Sequence, residues 1–218
     1  MSGAREDLLH EVYDRLYAEF GPQHWWPAET PFEVILGAIL TQNTAWKNVA
    51  RAIANLREKG LLDFDRLCDV PAPQLALLIR PSGFYNEKTK KIRSFCNYLQ
   101  TEWGGNLEDF LSRDAEELRA DLLHIRGIGP ETADSIVLYA AFKPSFVVDV
   151  YTYRIFFRHG WIFEGIGYEE LREFFMGALE PDVPFFQEFH ALLVRTGHLY
   201  CRKKPLCEDC PLNVLLPK

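Results

Sequence analysis

The segment LLHIRGIGPETADSI, residues 122–136, decides the fold. It places Gly127 and Gly129 on either side of one apolar residue, Ile128, between two stretches with helical apolar spacing. Such a loop turns tightly and directs free N–H groups outward at the start of the second helix. Because these groups and the helix dipole favour an anion, we predict a phosphate-binding helical hairpin. A plain helix-turn-helix connector with a glycine cap is the alternative.

The rest of the chain is also predicted to be mostly helical. Apolar residues recur every fourth position from Leu8 to Phe20, where Gly21-Pro22 predicts the end of the first helix. Helix starts are predicted at a Thr30-Pro31-Phe32-Glu33 capping box, at Asn43 or Thr44, and at Asp114 with Glu117. No segment shows sustained two-residue alternation, and residues 146–148 are the only strand-like stretch. We therefore predict an all-α fold.

The composition is that of a folded, water-soluble protein. Hydrophobic residues make up 48% of the 218 and charged residues 25%, which argues against disorder. The longest apolar runs are about seven residues, whereas roughly 20 are needed to span a bilayer. The first residues are polar and acidic where a secretory signal needs an apolar stretch. We therefore expect neither secretion nor membrane insertion. Separately, we expect the protein to be a monomer.

The charge is unevenly distributed along the chain. The net charge is −7, but residues 80–93 hold five basic residues against one glutamate, and residues 195–204 hold four basic and no acidic ones. Fields from exposed charges are screened over roughly 10 Å in salt, so one basic face is enough to attract a polyanion. The acidic average therefore does not exclude nucleic acid as a partner.

Further motifs accompany the hairpin in a fixed order. They are LGAILTQNT (36–44), GFYNEK (83–88), VVDVYTYR (147–154) and a C-terminal cysteine cluster. With the hairpin they cover about residues 30 to 210 and resemble the endonuclease III superfamily of helix-hairpin-helix (HhH-GPD) DNA glycosylases. The stretches WWP (25–27) and RPSGFYN (80–86), with Glu131, resemble in particular the 3-methyladenine DNA glycosylase III branch.

The resemblance implies two helical lobes. One spans residues 31–145 and ends with the hairpin, and the other combines residues 1–30 with 146–218, leaving Asp149 in the cleft. It also implies double-stranded DNA with a damaged base as the partner, and a cytoplasmic, nucleoid-associated location.

Asp149 and Glu131 define the chemistry that the resemblance implies. Asp149, twenty residues beyond Gly129, matches the catalytic aspartate, whose carboxylate stabilises an oxocarbenium-like sugar and orients or deprotonates the attacking water. Its alternative role is a helix N-cap, and one residue can serve as both. Bifunctional members carry a lysine two residues past the second hairpin glycine, whose amine forms a Schiff base. Glu131 stands there and cannot form that imine, so we expect no lyase activity.

We therefore predict a monofunctional DNA glycosylase of base excision repair that hydrolyses the N-glycosidic bond of a flipped, alkylated base resembling 3-methyladenine. One alternative is a glycosylase for oxidised pyrimidines or for mismatched thymine or uracil. Others are a catalytically silent helix-hairpin-helix DNA-binding protein and a small metal-binding interaction protein.

The family assigns DNA contacts to two more motifs besides the hairpin loop. Gln42 matches a glutamine that fills the gap left by the flipped nucleotide, and Phe84 matches an apolar wedge in the base stack. Lys88 lies beside Phe84 and is expected to hold a phosphate. The alternatives are a helix-terminal polar residue for Gln42, a core anchor for Phe84, and a solvated helix face for Lys88.

The predicted base pocket consists of Trp25, Trp26 and Trp46, with Glu131 counted as a fourth member. Aromatic rings stack on flat bases, and their quadrupoles attract a cationic base such as a 3-alkylated adenine. Packing in the core is the alternative for each tryptophan.

The C-terminal cysteines have the spacing Cys201-x5-Cys207-x2-Cys210 and resemble the iron–sulfur loop of endonuclease III. A [4Fe–4S] cluster normally needs four cysteines, and Leu216 occupies the fourth position. His198 is a candidate fourth ligand, and that ligand set equally suits zinc. An incomplete cluster that holds iron with a non-protein ligand is the second possibility, and a remnant site with free cysteines is the third. Cys68 and Cys96 are expected to be packing residues.

Overall fold

The computed structural model describes residues 2–217, and these form twelve α-helices with no β-strand. The helices are α1 (Ser2–Phe20), α2 (Pro31–Thr41), α3 (Trp46–Glu58), α4 (Phe64–Asp69), α5 (Ala72–Leu78), α6 (Tyr85–Trp103), α7 (Leu107–Ser112), α8 (Ala115–His124), α9 (Pro130–Tyr139), α10 (Val150–Arg158), α11 (Tyr168–Met176) and α12 (Val183–Leu199). Short 3-10 helices lie at Arg80–Ser82 and Asn213–Leu215. The predicted all-α class is confirmed, and residues 146–148 have no regular secondary structure.

The chain divides into two compact units. The central unit, residues 28–143, contains α2 to α9. The terminal unit is formed by the chain before Ala28 and after Lys143, and it contains α1 and α10 to α12.

The core of the central unit is built around α2. Every residue from Phe32 to Leu40 is buried, as expected for a helix that is apolar on all sides. It packs against α3, α6 and α9, and α9 is itself buried from Thr132 to Tyr139. The interior of this unit therefore holds the end of α2 and the start of α9 in fixed positions.

Helix capping explains two of the three predicted helix starts. The Thr30 hydroxyl accepts the N–H of Glu33 at the start of α2, and the Asp114 carboxylate accepts the N–H of Glu116 at the start of α8. The predicted cap of α3 at Asn43 or Thr44 is wrong. This helix begins later, after Ala45, because Asn43 lies in a turn with a left-handed φ of 53°.

A disulfide in the central unit corrects the expected role of two cysteines. Cys68 of α4 and Cys96 of α6 are both buried, and their sulfurs are bonded, with the Cα atoms 5.7 Å apart. They cross-link two helices that pack together, instead of only filling space.

The terminal unit is packed by aromatic rings around α12. This helix contacts α10 and α1, and Phe189 lies on its buried face. The rings of Phe146 and Phe175 stack with centroids 4.0 Å apart, and Phe156 meets Phe175 edge-on at 4.8 Å. Within residues 2–217, no helix is long and apolar enough to cross a membrane.

Candidate functional site

The predicted hairpin is formed by α8 and α9 of the central unit. Gly127 has a φ of +95°, which L side chains rarely adopt, and Ile128 is anchored with only 5% of its surface exposed. Gly129 precedes α9, which begins without a capping side chain. The positive end of the helix dipole is therefore available to an anion at this loop.

A buried ion pair joins the two helices of the hairpin. Arg119 of α8 donates from Nε and Nη2 to the two carboxylate oxygens of Asp134 of α9, at 2.8 and 3.2 Å. The Asp134 side chain is fully buried, so these bonds fix the helices that carry the loop.

Gln42 lies against the hairpin loop. It follows α2, and its Nε2 donates to the carbonyl of Gly127 at 3.2 Å and to the hydroxyl of Thr132 at 2.9 Å. The Lys91 ammonium of α6 donates to its Oε1. The predicted gap-filling glutamine and the predicted phosphate-binding loop therefore share one hydrogen-bonded network in the central unit.

Gly127 is required in this network for space as well as for its backbone conformation. A Cβ atom added there would clash with Cγ of Lys91, whereas one added at Gly129 would meet no atom within 4 Å. We expect Gly127→Ala to lower the free energy of unfolding by about 1–3 kcal/mol, through strain and overpacking. Gly129→Ala, the matched control, should stay within about 0.5 kcal/mol of the wild type in urea denaturation. Equal stability of the two variants would contradict this account.

Phe84 is exposed, as the wedge hypothesis requires. Its side chain is 70% exposed, and its φ of 45° places it in the left-handed region immediately before α6. An exposed phenylalanine in a strained conformation does not contribute to the core, so the core-anchor alternative is wrong.

The prediction that Lys88 holds a phosphate is corrected by its burial. Only 1% of its surface is exposed, and its Nζ donates to the carbonyls of Leu40 and Ser82, both at 2.7 Å. The long side chain of a lysine on a helix can extend toward solvent or toward the interior. In Lys88 it extends toward the interior, because α6 packs against α2. Burial, assisted by the charge of Lys91, lowers the pKa of Lys88 to about 8.

This pKa predicts how stability changes with pH. In the unfolded chain the amine has a pKa near 10.5, so between pH 8 and 10.5 the unfolded state binds more protons and stability rises with pH. The neutral amine still has two N–H groups for its two carbonyls. We expect the difference in free energy of unfolding between wild type and Lys88→Met to rise by about 2–3 kcal/mol from pH 7 to pH 10. If urea titrations gave the same difference between the two proteins at pH 7 and pH 10, the lowered pKa would be refuted.

Asp149 of the terminal unit caps α10. Its Oδ1 accepts the N–H groups of Tyr151 and Thr152, at 3.0 and 2.8 Å, and the Thr152 hydroxyl at 2.9 Å. Its Oδ2 lies 3.9 Å from Nε2 of His190, and the side chain is 10% exposed. One carboxylate oxygen thus fixes the group in place, while the other faces His190.

Sequence reasoning missed His190. It lies in α12, 41 residues from Asp149, and no local motif marks it. Burial lowers its pKa, although the nearby Asp149 carboxylate raises it in part. The lowered pKa favours the uncharged form of the imidazole.

The comparisons with known proteins agree with this geometry. The family model described as HhH-GPD superfamily base excision DNA repair protein matches residues 36–181, a range that contains the hairpin and Asp149. The chain belongs to the HhH-GPD superfamily of base excision DNA glycosylases. The predicted resemblance to the endonuclease III superfamily is confirmed.

Two relatives match this HhH-GPD protein over nearly its full length. A protein of Methanocaldococcus jannaschii that carries the name of a DNA repair glycosylase is 46% identical, over 95% of this chain and 94% of its own. Endonuclease III of Thermotoga maritima is 31% identical, over 95% of this chain and 90% of its own.

Two solved structures share the architecture. The 3-methyladenine DNA glycosylase MagIII of Helicobacter pylori, bound to 1,N6-ethenoadenine, superposes with a TM-score of 0.77 at 27% identity, over 89% of this chain and 97% of its own. The endonuclease III of a protein–DNA complex superposes with a TM-score of 0.82 at 23% identity, over 97% of this chain and 94% of its own. This likeness shows the shared fold.

The predicted base-pocket residues of this HhH-GPD protein belong to both units. Trp25 and Trp26 are half-buried in the terminal unit, with their rings edge to face at a centroid distance of 6.4 Å. In the central unit, Trp46 begins α3 and is half-buried, and Glu131 is exposed in the first turn of α9. A common pocket for the four stays a prediction.

The three C-terminal cysteines of this HhH-GPD protein line one cavity. Arg158 donates to Sγ of Cys201 at 3.3 Å, and burial raises the pKa of Cys210. Leu216, at the position of the fourth cysteine, also lines this cavity. His198 does not line it and instead pairs through Nε2 with the Tyr151 hydroxyl at 3.1 Å.

These donors do not fit a four-cysteine iron–sulfur cluster. Among the described residues, no group of three or more histidine, cysteine or acidic side chains is arranged to hold a metal ion. Iron–sulfur, zinc and no metal remain the alternatives for this loop, and metal and sulfide analysis of the purified protein distinguishes them.

Proposed function

We propose that this protein is a monofunctional DNA glycosylase that hydrolyses the N-glycosidic bond of an alkylated purine, resembling 3-methyladenine, flipped out of duplex DNA. The observation that carries the proposal is the Asp149 carboxylate. Its Oδ1 is fixed by three donors, and its Oδ2 lies 3.9 Å from Nε2 of the buried His190.

The geometry of Asp149 suits hydrolysis. As the bond from C1′ to the base nitrogen breaks, its electron pair leaves with the base and positive charge develops on the sugar. A carboxylate beside C1′ stabilises that charge and accepts a proton from the water that bonds to C1′. Burial lowers the pKa of His190, which favours an uncharged imidazole that does not compete with the sugar for the negative charge of Asp149.

Glu131 supports hydrolysis without strand cleavage. The lyase reaction of bifunctional relatives begins with an amine that attacks C1′ and forms an imine. Glu131 stands two residues past Gly129, in the exposed first turn of α9, and a carboxylate forms no imine. The product is therefore an abasic site in an intact strand.

The substrate class rests on aromatic residues and on one structural neighbour. Trp25, Trp26 and Trp46 offer flat π-faces, and a 3-alkylated purine carries positive charge that such faces attract. The H. pylori glycosylase that shares this fold at 27% identity holds a modified adenine.

The proposed contacts to DNA divide among three features of the central unit. The loop containing Gly127, Ile128 and Gly129 binds a phosphate at the positive end of α9. Gln42 fills the gap in the duplex, and the exposed Phe84 enters the base stack.

The test is base release from methylated genomic DNA. We expect wild-type protein to release 3-methyladenine, strands to break only after alkali, and borohydride to trap no covalent protein–DNA adduct. Release of oxidised pyrimidines, or of thymine or uracil from mismatches, in place of alkylated bases would replace the substrate class. An adduct trapped by borohydride would refute the monofunctional chemistry, and no release from any lesion would favour a silent DNA-binding protein.

A further inference from the structure

Gln42 and Phe84 each lie two residues after a carbonyl that binds the same buried amine. Leu40 is in the last turn of α2, where carbonyls lack helical partners, and Ser82 is in the 3-10 turn before α6. Nζ of Lys88 donates to both carbonyls, at 2.7 Å each. One side chain therefore connects the two backbone segments that present the proposed gap-filling and wedge residues.

We propose that Lys88 is a positioning residue that fixes the segments carrying Gln42 and Phe84 to each other, so that the two side chains enter the duplex together. The proposal rests on the proposed function, because it takes Gln42 and Phe84 as the groups that replace a flipped nucleotide.

The cost of burying an amine supports a role beyond filling space. An ammonium removed from water is costly unless it is hydrogen-bonded, and an apolar side chain would fill the same volume without that cost. With its pKa near 8, Lys88 keeps enough N–H groups for both carbonyls in either protonation state. The connection therefore persists across the physiological pH range.

Lys91 provides an internal comparison on the same helix. It lies one turn after Lys88, and its ammonium donates to the Oε1 of Gln42. Lys88 bonds to the backbone that leads to both proposed DNA-contacting residues, whereas Lys91 bonds to the side chain of Gln42. A substitution of Lys88 should therefore change the effect of a Phe84 substitution, whereas a substitution of Lys91 should not.

The experiment measures affinity for a duplex that contains a tetrahydrofuran abasic analogue, relative to an undamaged duplex. Lys88→Met, Lys91→Met, Gln42→Ala and Phe84→Ala are compared singly and in pairs. We expect Lys88→Met to weaken the preference for the abasic duplex about tenfold. In a protein that carries Lys88→Met, Gln42→Ala or Phe84→Ala should reduce this preference much less than it does in the wild type. The effect of Lys91→Met on this preference should be non-additive with that of Gln42→Ala but additive with that of Phe84→Ala.

Thr89→Val is the matched control, because Thr89 is a buried neighbour in α6 whose hydroxyl bonds only within the helix, to the carbonyl of Tyr85. It should leave the preference unchanged. If Lys88→Met does not fold, Lys88→Gln, which retains an amide donor, replaces it in the cycles.

Additive effects of the lysine variant with both Gln42→Ala and Phe84→Ala would overturn the inference. So would the absence of any preference of wild type for the abasic duplex, since neither side chain would then fill a gap. The analogue has no base to remove, so these results are independent of base release. Failure to release any base from damaged DNA would refute the proposed function alone.

Discussion

Replacing Asp149 by asparagine is expected to lower the rate of base release about 10³-fold while leaving affinity for damaged DNA within a few-fold of wild type. The amide keeps an oxygen that accepts the N–H groups of Tyr151 and Thr152, and asparagine caps helices as well as aspartate does. What it loses is the negative charge beside the sugar. Single-turnover release of the base and titration of a labelled duplex measure the two effects separately.

The matched control is Asp182→Asn. Asp182 caps α12 in the same unit by accepting the N–H of Phe185 at 2.7 Å, and it is exposed. Both variants should unfold at the wild-type temperature, but only Asp149→Asn should be inactive. Wild-type turnover by Asp149→Asn would exclude a catalytic carboxylate at this position and leave it as a helix cap.

Replacing Arg119 by methionine is expected to lower the free energy of unfolding by about 3 kcal/mol. The change leaves the Asp134 carboxylate, which is fully buried, without its bidentate partner in the other helix of the hairpin. Because the loop between these helices is the proposed phosphate site, DNA affinity should fall as well. Urea denaturation and duplex titration give the two quantities.

Arg15→Met is the control for this ion pair. Arg15 pairs with Glu11 one turn away on the exposed surface of α1, where such pairs contribute well under 1 kcal/mol. Adding Asp134→Asn to Arg119→Met should recover part of the lost stability, because it removes the buried charge. Similar losses for Arg15→Met and Arg119→Met would contradict the importance of burial.

The elements that local rules govern were predictable from the sequence. The two glycines around Ile128 require a tight turn, and Thr30 and Asp114 cap the helices that follow them. Asp149 is predicted to be catalytic, with a helix N-cap as the alternative or additional role, and its three bonds to residues 151 and 152 show the cap. The motif order then led to the family, which the match over residues 36–181 confirms.

Only the tertiary structure decided the positions of side chains whose partners are distant in sequence. A lysine on a helix reaches solvent or interior equally well, and Lys88 turned inward because carbonyls of Leu40 and Ser82 converge there. His190 faces Asp149 from another helix, and Leu216, which the sequence places at the position of a fourth cysteine, lines the cysteine cavity. The starts of α2 and α8 follow from residues within about four positions, and the sequence alone determined them. Burial, pKa values and long-range hydrogen bonds depend on which surfaces meet, which no local pattern encodes.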